Sequence, residues 1–113
     1  MENRLRFRPR KTFNADLKRL AALDANIVDE VRTAIEILLA GESLPDEFND
    51  HPLQRRLSGY REFHLRDTPL GKQPTDNNDI LVVYTIDQRA LVLIGIRIGS
   101  HERLFPAQNR STK

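Results

Sequence analysis

At 113 residues the chain is long enough for one hydrophobic core and short for two. It has no cysteine, which excludes disulfides, thiolate nucleophiles and thiolate metal sites. A net charge of +2 conceals a segregation: Arg4, Arg6, Arg8, Arg10, Lys11, Lys18 and Arg19 crowd the N-terminus, an acidic stretch runs from Asp24 to Asp50, and the balance turns basic again from Arg55 to Lys72. A basic face can meet a polyanion while an acidic face looks elsewhere. No apolar run reaches the length of a bilayer span and Met1-Glu2-Asn3-Arg4 opens no secretory pattern, so the expected compartment is the cytoplasm.

Residues 3–8 alternate apolar and basic, the period of a half-buried strand, with Leu5 and Phe7 toward the core and Arg4, Arg6 and Arg8 toward water or a ligand. Pro9 ends that ladder by removing a donor. Thr12 is placed to cap a helix over 13–22 whose apolar face carries Phe13, Leu17, Leu20 and Ala21. Asp24 is the next N-cap candidate. Behind it Ile27, Val28, Val31, Ala34, Ile35, Leu38 and Leu39 recur at three and four, and Gly41 follows as a C′ residue. The pair predicts an antiparallel helical hairpin.

Residues 41–52 are polar and turn-rich. Short strands are expected at 54–57 and 60–66, joined at Ser58-Gly59, and then a long, mobile loop over 68–78. Residues 80–86 and 91–98 are the most apolar runs and read as central strands around an Asp87-Gln88-Arg89 turn. One helical turn fits 100–105, and the polar residues 106–113 are expected to be a disordered tail behind a single domain over 1–105. The order predicts an α+β fold: an N-terminal strand and a two-helix hairpin packed on a mainly antiparallel sheet of about four to five strands.

The three histidines, His51, His64 and His101, fall at strand ends or loop edges, and adjacent hairpin strands can bring them to one sheet face. Imidazoles move protons near neutral pH, so a pair can serve as base and acid in RNA cleavage, in which the 2′-OH attacks the neighbouring phosphate. Arginines beside them would hold the phosphate and the charge it gains. Taken singly, each histidine also fits a purely structural place at a loop end or on a solvated strand face. There is no His-x-x-x-His pair and no cysteine, so no zinc signature is present, and neither a metal nor another cofactor is expected. No phosphate-cradling glycine loop is visible, and neither Ser58 nor Ser100 sits in a nucleophile-elbow context.

The sequence Asp50-His51-Pro52-Leu53, then Gly59-Tyr60-Arg61, His64, the apolar strand ending at Tyr84, and Gly99-Ser100-His101 followed by Leu104-Phe105 resembles the YafQ branch of the RelE/ParE toxin superfamily. The likeness covers roughly residues 4–105 in layout, with its specific motifs between 50 and 105. It implies a RelE-like fold and a ribosome-dependent endoribonuclease that is the toxin half of a type II toxin–antitoxin pair, cutting translated mRNA without a metal. The implied partners are a cognate antitoxin, the ribosome and mRNA, with no membrane and no small-molecule cofactor. By position, His51, His64 and His101 match the family's catalytic histidines, Asp79 its catalytic aspartate and Phe105 an aromatic near the substrate base. His64 and His101 are the preferred base and acid. Arg55, Arg56, Tyr60 and Arg61 are the accompanying substrate-binding candidates, Arg61 on phosphate. Relatives have a short connection where this chain has 68–78, which makes Asp67 the rival to Asp79, and Ile80 stands where they carry an aromatic. The superfamily also contains gyrase-inhibiting toxins, so an inhibitor of that kind or a non-catalytic RNA-binding protein of the same fold stays open.

Overall fold

The computed structural model describes residues 4–106. Five strands, β1 (Arg6–Pro9), β2 (His51–Pro52), β3 (Arg61–Arg66), β4 (Ile80–Asp87) and β5 (Val92–Gly99), form one sheet in the order β1-β5-β4-β3-β2. Helices α1 (Lys11–Leu23) and α2 (Asn26–Leu39) cover one face, and a short α3 (His101–Leu104) follows β5. The α+β expectation holds, and the sheet is mixed: β1 runs parallel to β5, and the other pairings are antiparallel.

Strand alternation divides the sheet cleanly. Phe63, Val82, Tyr84 and Leu93 join Phe13, Leu20, Ile27, Val31, Ile35 and Leu38 in the core beneath the helices. Glu62, His64, Leu81 and Val83 alternate with these residues and therefore occupy the opposite face. That second face carries His64 and Glu62.

The helical hairpin forms as its periodicity predicts, with Gly41 closing it as expected and different residues at the N-cap positions. Asp24 Oδ1 accepts from the Asn26 N–H at 3.0 Å, so it caps α2 from just outside. Gly41 takes φ +80°, and the N–H groups of Gly41 and Glu42 donate to the carbonyls of Leu38 and Ile37, closing α2 as a C′ glycine does. Thr12 does not cap α1; Arg10 occupies that position with no side-chain bond. The Thr12 hydroxyl donates instead to the Ile96 carbonyl at 2.6 Å.

That difference reflects how the edge of β5 is closed. β1 pairs with β5 only from Val92 to Gly95. Beyond it α1 supplies the partners: the Arg10 N–H donates to Gly95 O, Thr12 to Ile96 O, and Asp16 accepts from the Ile98 N–H at 3.0 Å and from Arg97 Nε at 2.6 Å. A helix thus covers a strand edge that would otherwise be open for pairing with another chain. Gly95 permits the close approach, since a Cβ there would lie 2.9 Å from the Phe13 ring.

Residues 54–57 are not a strand. β2 is only His51–Pro52, and Arg55–Leu57 form a 3-10 turn in which Arg55 adopts φ 61°. A left-handed residue cannot continue a ladder, so the hairpin reopens until the Leu53 N–H meets Tyr60 O. The loop over 68–78 has no strand or helix, yet it is pinned. Asn78 Oδ1 accepts from the Thr68 hydroxyl and the Thr75 N–H, and Arg66 donates to Asn77 O while bridging to Glu30 and Asp24 of the helical layer. Of the expected tail, 107–113 lie outside the described residues.

Candidate active site

The three histidines meet. The His64 ring centroid lies 6.3 Å from that of His51 and 5.7 Å from that of His101, so the imidazoles form a row across β2, β3 and the start of α3. Each element contributes by a local rule. His51 pairs directly with Glu62 across β2–β3, His64 follows two residues later on the same face, and His101 opens α3 immediately after β5. Ser100 is the N-cap of α3, its hydroxyl accepting from the Arg103 N–H at 3.2 Å, and this fixes where the His101 side chain starts.

Three carboxylates serve the row, and one of them is shared: Glu62 Oε2 lies 3.1 Å from His51 Nε2 and 3.7 Å from His64 Nε2. His101 Nδ1 lies 2.8 Å from Asp79 Oδ1, and the His101 backbone N–H donates to Asp79 Oδ2 at 2.9 Å. Asp79 is only 5% exposed, and its double hold fixes both the ring and the turn that carries it. With Nδ1–H given to Asp79, the other ring nitrogen of His101, Nε2, is the one left to meet another group. His64 Nδ1 lies 2.6 Å from Asp67 Oδ1. The two aspartates that compete in the sequence therefore serve different rings.

His51 is held between two acceptors, with Nδ1 3.1 Å from its neighbour's carbonyl at Pro52 and Nε2 3.1 Å from Glu62 Oε2. Both bonds form together only when His51 carries two protons or Glu62 carries one. Glu62 is 7% exposed, and its Oε1 is buried with no hydrogen-bond partner among the described residues. An orphaned buried carboxylate oxygen calls for a ligand or a proton. Glu62 was missed in the sequence, although its spacing of two from His64 on a strand places both on one face.

The histidine row borders two adjoining clefts. One, of about 450 Å³, is lined by His51, Leu53, Arg55, Glu62, His101 and Phe105 among others. The other, of about 730 Å³, lies between Asp67, the 68–78 loop and the Ser100–Glu102 turn. Arg55 and Phe105 thus flank the imidazoles. Tyr60 lies beside them in an apolar groove shared with Leu57, Val83, Ile96 and Phe105. Arg56 is exposed on the 3-10 turn and lines neither cleft.

Arg61 is not brought to this site. It is three residues from His64 on one strand, so it faces the helical side, where Nε donates to Tyr84 Oη at 3.2 Å and Asp50 Oδ1 at 3.3 Å. The Tyr84 hydroxyl in turn donates to Asp50 Oδ1 at 2.7 Å. Burial, followed by the neighbouring Asp50 carboxylate, raises the Tyr84 pKa well above its ordinary value of 10.0.

The donor set also suits a metal ion. His51, Glu62 and His64 each offer a ligand atom, and all three atoms lie within 4.8 Å of one another. Two imidazoles and a carboxylate are ligands for zinc or copper.

Comparison with known proteins gives a consistent result. The family described as "Bacterial toxin of type II toxin-antitoxin system, YafQ" matches residues 5–106. Among solved structures, a metal-bound toxin from Helicobacter pylori is 30% identical, with 89% of this chain and 99% of that chain covered and a TM-score of 0.74. The DinJ–YafQ complex of E. coli is 25% identical, with 89% and 98% covered and a TM-score of 0.67. YafQ from E. coli strain BL21(DE3) is 24% identical and shares the fold at a TM-score of 0.67, with 89% and 98% covered. No curated protein sequence matches.

Proposed function

Because the chain belongs to the YafQ family of bacterial toxins of type II toxin–antitoxin systems, we propose that it is a ribosome-dependent endoribonuclease that cuts translated mRNA by metal-independent acid–base catalysis. The observation that carries this reading is the row of three imidazoles, set among the carboxylates of Glu62, Asp67 and Asp79 along a cleft flanked by Arg55 and Phe105.

In the proposed reaction one imidazole removes the ribose 2′-OH proton, the 2′-oxygen attacks the adjacent phosphorus, and the 5′-oxygen leaves with a proton from a second imidazole. His64 and His101 share these two transfers, since their rings are the closest pair. Asp79 is a positioning residue: it holds His101 Nδ1 and leaves Nε2 to exchange the proton, as the aspartate of a catalytic triad does. Asp67 holds Nδ1 of His64, whose Nε2 lies 3.7 Å from Glu62 Oε2. His51 is held by Glu62 beside the phosphate, and Arg55 adds a guanidinium. Phe105 offers a ring on which a base can stack.

The partner in the cell is a cognate antitoxin whose acidic or amphipathic segment covers the cleft. The toxin–antitoxin complex of E. coli DinJ with YafQ supports this reading. Among the described residues no helix is long and apolar enough to cross a membrane, in keeping with action on ribosomes in the cytoplasm.

The test is to induce the protein in cells and map mRNA 5′ ends. His64→Ala and His101→Ala should each lower cleavage by about 10²–10⁴-fold. Undiminished cleavage in both would sink the assignment, and DNA damage without mRNA cuts would point to gyrase inhibition instead.

A second reading is favoured by the His51–Glu62–His64 donors and the metal-bound relative. Here His51, Glu62 and His64 would hold a divalent transition metal, which would supply Lewis-acid stabilisation of the charge on the phosphate. Cleavage that persists in excess chelator supports the metal-independent reading. Loss in chelator with recovery on adding zinc supports this one.

A further inference from the structure

The arginine row of β1 stands apart from the cleft but on the same side of the sheet. Leu5 is in the core and Phe7 packs against the core's Phe13 edge-to-face, so Arg6 and Arg8, which alternate with them, project from the face that carries Glu62 and His64. Arg6, Arg8, Arg10 and Lys11 are all exposed, and none forms an ion pair among the described residues. Arg4, by contrast, is bonded to Glu36, and Arg97 to Asp16.

The register locates this row. Arg8 is level with Ile94, and Ile94 with Thr85, whereas His64 is level with Leu81 and Gly99. Three strand spacings across and four residues along put the row about 20 Å from the histidines. Between them lies the apolar groove of Leu57, Tyr60, Val83, Ile96 and Phe105. One side of the sheet therefore presents, in sequence, proton-transfer groups, two aromatic rings and a set of unpaired guanidinium groups about 6.6 Å apart along the strand. Aromatic platforms followed by a cationic track are how proteins hold single-stranded nucleic acid.

We propose that Arg6 and Arg8, continued by Arg10 and Lys11, are a second contact for the phosphate backbone of the RNA strand whose scissile bond lies at the histidines. The inference rests on RNA being the substrate. It extends that reading from a cleavage point to a path across the sheet. Each guanidinium that neutralises a phosphate releases a counterion, so the contact is electrostatic, independent of base identity and sensitive to salt.

The experiment uses the full chain carrying His64→Ala, so that RNA stays intact, and a labelled single-stranded RNA oligonucleotide of about 20 nucleotides, long enough to span such a path. Affinity is measured from about 50 to 200 mM salt. Adding Arg6→Gln and Arg8→Gln should weaken binding about tenfold near physiological salt and flatten the slope of log K against log salt by about 1.4. Lys18→Gln with Arg32→Gln removes the same charge from exposed positions on α1 and α2 and should change affinity less than about twofold. Arg6→Lys with Arg8→Lys should restore the salt slope.

Equal losses in the two glutamine pairs would reduce the effect to net charge and overturn the proposal, as would unchanged affinity in the first pair. A charged edge strand also keeps sheets from pairing; variants that self-associate yet bind RNA as before would assign the row to that task. Weakened binding of an acidic peptide with RNA binding intact would also overturn it. The mRNA-cleavage assay on the parent chain is separate: row-dependent RNA binding without cleavage keeps the path and removes the nuclease.

Discussion

Asp79 ties His101 down at two points at once, because its carboxylate meets both the backbone and the ring. One oxygen fixes the His101 backbone at the head of α3 and the other its imidazole. Asp79→Asn keeps the shape and removes the negative charge, so the ring loses its preferred tautomer. The expected result is a fall in mRNA cleavage of about 10²–10⁴-fold, with RNA affinity in the His64→Ala background unchanged. A drop in affinity to match would place Asp79 in binding. At this same scale the sequence was only partly legible. The three histidines stand out by type and by resemblance, whereas Glu62 carries no motif and Asp67 looks like a competitor to Asp79 until each is seen with its own ring. Arg61 could have been set aside from spacing alone, because residues three apart on a strand face opposite ways.

At the scale of elements, the contact between α1 and β5 sets the geometry of everything around it. Gly95 lies flat beneath the Phe13 ring, which is itself 1% exposed and packed edge-to-face on Phe7. Gly95→Ala should therefore destabilise the fold by about 1–3 kcal/mol through overpacking, measured by denaturant unfolding. A neutral result would mean that α1 can lift off the sheet without loss. The helices were readable because their apolar residues recur at three and four, a local property of the chain. The parallel pairing of β1 with β5 was not, because no local signal says which of the two apolar strands a distant N-terminal strand will join. The expected strand at 54–57 failed for a local reason: a backbone reversal at Arg55, a residue type that gives no warning of positive φ.

The whole molecule is tied across its layers by charged and polar groups whose protonation sets how stability varies with pH. Asp24 is held below its ordinary value of 3.8 by the Asn26 N–H and then by Arg66. A carboxylate that ionises more readily folded than unfolded contributes fully above that ordinary value, and the contribution is lost as pH falls through the lower folded one. Tyr84 is displaced in the other direction. The folded protein keeps its phenolic proton where the unfolded chain would release it, so stability is intact below pH 10.0 and declines above it. Thermal melts across pH should show both losses. Tyr84→Phe should abolish the alkaline one while costing about 1–3 kcal/mol at neutral pH, because Asp50 and Arg61 lose a buried partner. An alkaline decline that persists in Tyr84→Phe would assign it to another group.

The parallel pairing of the first strand with the last also has a consequence in time. Strands distant along the chain meet late, because a long loop must close before the contact returns any free energy. During synthesis the helical hairpin can form early, but β1 has no partner until residues 92–95 have been made, and His101 comes after them. The histidine row is therefore completed only after residue 101 has been made. Until then a nascent chain holds its arginine strand unpaired and its His51 and His64 without the third ring.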